Sequence, residues 1–491
     1  MFGAIGCAET RSTHDYQHAR DRIAERTLVG DSFDPSATEG IGRRIDEWLS
    51  GGTTVDEAVQ IALLNNPRFQ AAMTEIGAAR ADVQQSTLLS NPILSLGLQF
   101  PEGGGLTDLN VGFAAQIADL WQIPVRKQLA ESELERVIHA VGQSAVELIA
   151  DVRTRYYRVL ALERGVQFTE ENVSLVRRAV MLSEAQFRAG EVSAFDVNLA
   201  RTGALDVQEQ LIAVRGQLEQ ARADLGQTLG LSLRLKEIRL QDALPVNPGE
   251  SPSLEELVEL SLQERFDLRV AWFAVQRAEA ALRLECRQVF SDVQVGALLE
   301  RGERRALPGR KLLADTARAS IAAGRLTAPD IQSRGQRAIE KAQFIEAKLG
   351  PTIAFALPIF DMNQAQIEKA RVRVLQARQD YEARAQAGVA DVQRAYAAMT
   401  AAAETLRFQQ SQSLRQAQAT VDGAERRYQA GEEGVLVLVQ AQNALVQRRQ
   451  AHVSTLRDFA VSLAQLEGAI GGRALRAGPS GVPTTQPTRM D

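Results

Sequence analysis

Four histidines and two cysteines are the residues in this 491-residue chain most suited to metal or nucleophile chemistry. His14 and His18 lie one helical turn apart, a spacing at which two imidazoles can share an ion. No cysteine or third histidine stands near them, so a solvated linker is the expected reading and no metal site is expected. Cys7 and Cys286 make no disulfide framework, and no nucleophile–base pair emerges. The sequence therefore predicts neither an enzyme nor a cofactor. The more informative spacing is a doubled motif. Phe187-Arg188-Ala189-Gly190-Glu191-Val192-Ser193-Ala194-Phe195-Asp196-Val197 is echoed by Tyr428-Gln429-Ala430-Gly431-Glu432-Glu433-Gly434-Val435-Leu436-Val437-Leu438. Gly190 and Gly431 suit the left-handed conformation that ends a helix. Ser193 can cap the following helix, with Asp196 completing a capping box, and Gly434 is the weaker cap of the second copy. Each motif reads as the sharp turn of a long helical hairpin.

The elements that must carry these turns are long. The segments Val125 to Leu244 and Ile359 to Gly478 lack proline. Val173, Val176 and Val180 are spaced three then four, as are Val389, Val392, Tyr396 and Met399. The rule continues through Leu414, Ala417, Val421, Ala424 and Tyr428, and through Leu456, Phe459, Leu463, Leu466 and Ile470. Such a seam is that of a coiled coil. A sixty-residue helix would reach roughly 90 Å, more than a globular core needs.

Four short segments alternate with period two instead. They are Leu94 to Phe100, Leu109 to Ile117, Val293 to Leu299 and Ile353 to Ile359, each with one apolar face and one small or polar face. Their length suits a tilted strand crossing hydrocarbon, and a soluble sheet packed on helices would alternate in the same way. The chain also repeats. Thr54 to Leu63, with Thr54 and Glu57 as a capping box, returns as Ser253 to Leu262, with Ser253 and Glu256. Leu225 to Gly230 falls against Leu466 to Gly471. The division is a polar N-terminal segment 1–52, irregular apart from Arg43 to Leu49, a first repeat 53–244, a linker 245–252, a second repeat 253–471 and a disordered tail 472–491. An insert, 301–350, rich in arginine and lysine and helical over Ala338 to Leu349, separates the last two strands.

The expected fold class is mainly α with a small β part. The net charge of −5 argues against nucleic acid as a partner. No apolar run is long enough to cross a bilayer as a helix, which leaves a β-barrel open. Four strands cannot close a barrel, and open edges cannot sit in lipid, so strands that enter a membrane must be pooled by several chains. Three chains give twelve strands, within the range of outer-membrane barrels.

From about Thr54 to Gly471 the chain resembles the TolC-like outer-membrane efflux family. The residues that carry the resemblance are Asn66-Pro67, Asn91-Pro92, Leu357-Pro358-Ile359-Phe360-Asp361, the doubled Ala-Gly-Glu turns and Leu438-Val439-Gln440-Ala441-Gln442. The resemblance implies a homotrimer, with a twelve-stranded barrel in outer-membrane lipid and a helical barrel through the periplasm. It implies a passive exit duct fed by an inner-membrane transporter through a periplasmic adaptor. The adaptor would dock, and the duct would close, at Arg188, Gly190, Glu191, Ser193 and Asp196 with Gln429, Gly431, Glu432, Glu433 and Gly434. Threefold repetition of Glu191, Glu432 and Glu433 could make carboxylate rings that favour cations; a solvated charged turn is the competing reading. Where the family resemblance would put acidic residues lining a constriction, Val437 and Gln440 stand instead. Met1 to Cys7 resembles the tail of a lipoprotein signal, making Cys7 a candidate for lipidation. The rival from another class is a soluble periplasmic coiled-coil scaffold or adaptor.

Overall fold

The structure is a computed structural model that describes residues 12–100, 107–245, 252–303, 324, 345–430, 432–473 and 475. Cys7, Gly431, residues 304–344 other than Gly324, and nearly all of the tail lie outside the described residues. The chain forms two compact units that cut across the two sequence repeats. One comprises residues 83–131 and 276–375. The other comprises the described residues up to Asp82, then 132–275, then those from Gln376 onward.

The first of these units holds a four-stranded antiparallel sheet in the order β1 (Ile93–Gln99), β2 (Asp108–Gln116), β3 (Val293–Glu303), β4 (Ile345–Phe355). Its register sorts the alternating sequence onto two faces. Leu96, Val111, Leu299 and Leu349 stand opposite one another, as do Leu94, Phe113, Ala297 and Pro351. One row over, Gly97, Asn110, Glu300 and Lys348 align on the other face, next to Gln99 with Asp108 and Gly302 with Glu346. The apolar face is uncovered: Leu96 is 69% exposed, Leu349 76% and Ile353 69%. Among the described residues neither β1 nor β4 has a neighbour on its outer edge.

The last strand, expected over Ile353 to Ile359, both begins and ends earlier: it stops at Phe355, and Leu357 and Ile359 lie beyond it. Ile345, Ala347 and Leu349 alternate with Glu346 and Lys348, so the strand period already runs through this charged stretch. Ile345 to Leu349 is therefore strand, not helix. The insert correspondingly loses Arg301 to Glu303 and Ile345 to Gly350 to the sheet.

The other unit is helical. The opening helices of the two repeats, α3 (Val55–Asn65) and α7 (Leu254–Glu264), are entered through complete capping boxes at Thr54 with Glu57 and Ser253 with Glu256. They run on into α4 (Pro67–Ser86) and α8 (Phe266–Arg287). The long helix α5 (Asp119–Arg188) has 70 residues, about 105 Å at 1.5 Å per residue. Pro124 falls in its opening turns, where few ladder bonds are lost. Helix α6 (Ala194–Thr228) returns from it. In the second repeat α9 (Gln364–Phe408) passes through a π-helical turn, Gln409–Ser413, into α10 (Leu414–Gln429), and α11 (Val435–Ala469) returns. Gln409 is tied to the return helix: its Nε2 donates to Thr455 Oγ1 at 3.0 Å and its Oε1 lies 3.1 Å from His452 Nδ1.

The seam positions are the buried ones. Val173 and Val176 pack with Val207 and Leu211 across the first hairpin, and Val439 of the second hairpin lies against them. Val421 and Ala424 pack with Ala441 and Leu445 across the second. Each return helix ends at a left-handed glycine, Gly230 (φ +71°) and Gly471 (φ +95°), placed against the end of its repeat's opening helix. A side chain on Gly230 would meet the Asn65 carbonyl at 2.4 Å, and one on Gly471 the Glu264 carbonyl at 3.0 Å. The repeats secure this contact differently. Asn65 Nδ2 donates to the carbonyls of Leu229 and Gly230, each at 3.0 Å. Arg265 donates to the Ala469 carbonyl at 3.0 Å while paired with Asp267 at 2.7 Å.

One expectation fails at the N-terminus. Residues 13–27, read as irregular, form helix α1 (Thr13–Thr27), followed by α2 (Ile41–Ser50). Its apolar content is small, but Ala19 and Ile23 are each 1% exposed, and Asp15 is buried in an ion pair with Arg80 of α4. Arg20 holds the following loop through Asp31 and Asp34.

Candidate functional site

The first turn is built almost wholly from backbone. Gly190 has φ +79°. Its N–H donates to the Phe187 carbonyl at 3.0 Å, and the Glu191 N–H reaches back to the Gln186 carbonyl at 2.9 Å. This pair of bonds is the Schellman ending, which satisfies the last carbonyls of the helix. Three residues on, Ser193 Oγ accepts from the Asp196 N–H at 3.3 Å, and the Asp196 carboxylate accepts from the Ser193 N–H at 2.9 Å. The Ser193 hydroxyl also donates to that carboxylate at 2.7 Å. These hydrogen bonds from Ser193 hold the Asp196 carboxyl below its usual range.

The second turn repeats the exit bond, from the Glu432 N–H to the Arg427 carbonyl at 2.9 Å. Gly431 lies outside the described residues. At the entrance to α11, Gly434 is extended (φ −73°, ψ 160°) and supplies no side-chain cap. An ion pair does work here that the sequence did not reveal: Arg427 reaches Glu433 at 2.8 Å, and that hydrogen bond raises the arginine's pKa.

Arg188, Gly190, Glu191 and Ser193 with Asp196 thus form one turn, and Gln429, Glu432, Glu433 and Gly434 form another. Glu191 and Glu432 are exposed, whereas Glu433 is partly covered and engaged by Arg427. Arg188 folds back, its Nε donating to the Glu184 carbonyl at 3.3 Å. Val197 and Val435, just beyond the turns, are buried and anchor each one to its hairpin. Apolar side chains stand beside these polar groups, and the glycine-and-cap pattern does not point to them. Phe195 is 71% exposed, and Phe187, Leu199 and Met181 are exposed too. They fall off the buried seam, and that off-seam phase was the signal available. In the second turn Val437 and Gln440 are exposed. Among the described residues no three histidine, cysteine or carboxylate side chains converge as metal ligands. His14 and His18 stack with ring centroids 6.5 Å apart.

The sequence pattern of a family described as "Outer membrane efflux protein" matches residues 58–231 and 257–472. The chain is 26% identical over 451 residues to Protein CyaE of Bordetella pertussis, covering 86% of this chain and 85% of that one. It is 29% identical over 174 residues to the "Pyoverdine export outer membrane protein OpmQ" of Pseudomonas putida, a match spanning 34% of this chain and 35% of OpmQ. The crystal structure of the outer membrane protein VceC from Vibrio cholerae shares the fold, with a TM-score of 0.64 at 16% identity, over 85% of this chain and 96% of VceC.

Proposed function

The chain belongs to the outer membrane efflux protein family, and from that premise we propose that three copies assemble into one exit duct. As an outer-membrane efflux channel it needs a wall without open edges, because unpaired backbone in hydrocarbon costs several kcal/mol per group. The observation that carries the proposal is the sheet: among the described residues it has four strands, two unpaired edges and one uncovered apolar face. Pairing β1 of one copy with β4 of the next, three times over, closes a twelve-stranded barrel with Leu96, Val111, Leu299 and Leu349 toward lipid. Asn110, Glu300 and Lys348 then line the water-filled side.

Transport in this reading is passive. An inner-membrane transporter supplies the energy, and a periplasmic adaptor docks at the two turns, where small residues and exposed Phe187 and Phe195 offer close approach. Glu191 and Glu432, repeated by threefold symmetry, place carboxylates at the duct's narrow end and favour cations. Glu433 contributes less, since Arg427 neutralises it locally.

Two measurements test this. The protein should sediment with outer membranes and run as a detergent-resistant trimer; a soluble monomer would end the proposal. In planar bilayers Glu432→Gln with Glu433→Gln should move the reversal potential toward zero under a salt gradient. An unchanged reversal potential would remove the carboxylate ring and leave the duct standing.

A further inference from the structure

The N-terminal helix carries chemistry that an exit duct does not use. His14, His18, Arg22 and Arg26 recur every four residues along α1. Arg22 sits between two imidazoles. Its Nε donates to His18 Nε2 at 3.0 Å, and its Nη1 lies 3.2 Å from Nε2 of His139 on α5. A guanidinium has donors and no acceptor, so the His139 Nε2 must accept and that buried ring must be neutral. Protonating His139 removes that acceptor and sets two cations face to face.

His139 has little room to adapt. It is 1% exposed and packs against Phe273 and Phe266 of α8, at 5.3 and 6.0 Å between ring centroids. The charged groups facing it are His18, Arg22 and Arg26 from α1 and Arg269 from α8; Arg26 lies 4.4 Å over the Phe266 ring and pairs with Glu264 at 3.4 Å. Burial first, and then the three arginines, push the His139 pKa from 6.5 down to about 3.

We propose that Arg22 and His139 form a proton-sensitive latch that holds α1 against α5 and α8 at neutral pH and loosens it as the medium acidifies toward pH 5. The sign follows from linkage. Because His139 binds its proton more weakly in the closed form, its contribution is whole above pH 6.5 and erodes as pH falls below it. At pH 5 a histidine that regains its ordinary affinity on opening shifts the closed–open ratio by about thirtyfold.

The test is hydrogen exchange on the full-length protein in detergent, with times scaled for the intrinsic pH dependence of exchange. Protection of residues 13–27 should fall by about thirtyfold between pH 7.5 and pH 5.0, while α3 stays unchanged. Flat protection across α1, or an equal loss in α3, would overturn the proposal whatever the variants do. His139→Gln keeps an amide acceptor and removes the proton, and should abolish the pH step. If that variant folds poorly, His18→Gln decides: it should leave the full step in place, and a lost step would take the sensor away from His139. Arg80→Gln should lower α1 protection by the same factor at both pH values and leave the step in place; a step that disappears would show that the Asp15–Arg80 ion pair, not His139, senses pH.

Discussion

At the first turn Ser193 and Asp196 close a reciprocal cap, while at the second Gly434 presents bare backbone and Arg427 clasps Glu433 across the bend. Both turns leave their long helix through the same backward bond, from Glu191 to Gln186 and from Glu432 to Arg427. The same bend is thus held by short-range hydrogen bonds to one carboxylate in one copy and by a solvent-exposed ion pair in the other. The first should ignore salt and resist opening. The second should answer to ionic strength, because exposed charges are screened within about 8 Å at physiological salt.

Serine placed at each glycine breaks the comparison most sharply. Neither Gly190 nor Gly434 has an atom within 4 Å of an added Cβ, so only the backbone decides. Gly190→Ser forces a side chain into a left-handed residue and should cost about 1–2 kcal/mol. Exchange of amides 186–192 would show this as roughly a fivefold to thirtyfold rise in opening. Next, Ser193→Ala should cost about 1 kcal/mol at the start of α6. The same cap gives the pH test. Asp196 is held below the ordinary 3.8, so its contribution stays whole down to about that pH and disappears as pH falls through the lower folded value. Exchange at residues 193–197 should therefore be unchanged, after scaling, between pH 7 and pH 4.5. A smaller effect of opposite sign is expected at the other turn, where Gly434→Ser adds a cap and should gain a few tenths of a kcal/mol. The smallest is Arg427→Gln, which should speed exchange at the second turn in low salt and converge with the parent in 0.5 M NaCl. A difference that survives high salt would mean the ion pair is not what distinguishes the turns.

The turns were legible in the sequence because their chemistry is local. A glycine flanked by helical patterns and a Ser193-to-Asp196 spacing dictate the bends whatever surrounds them. The first three strands were legible through period two, but of the fourth only Ile353 to Phe355 was, because charged Glu346 and Lys348 hid its start and the alternation runs on through Leu357 and Ile359 past its end. Helix α1 was not legible. Its seam is only Ala19 and Ile23 among histidines and arginines, and it is stabilised by partners far along the chain, Arg80 and His139. The Arg427–Glu433 pair was missed for a related reason: six residues across a bend is no helical spacing, and only the turn brings the two together.

The π-helical segment has a consequence in the count of residues. Val392, Met399 and Leu406 are buried seven apart, and so the next contacts of that stripe fall due at 413 and 420. The stripe resumes instead at Leu414, Val421 and Tyr428, one place late. A wider coil at Gln409–Ser413 swallows that surplus residue and returns the stripe to phase before the bend. Without it, every contact from Leu414 onward would be rotated by about 100° away from its partners on α11.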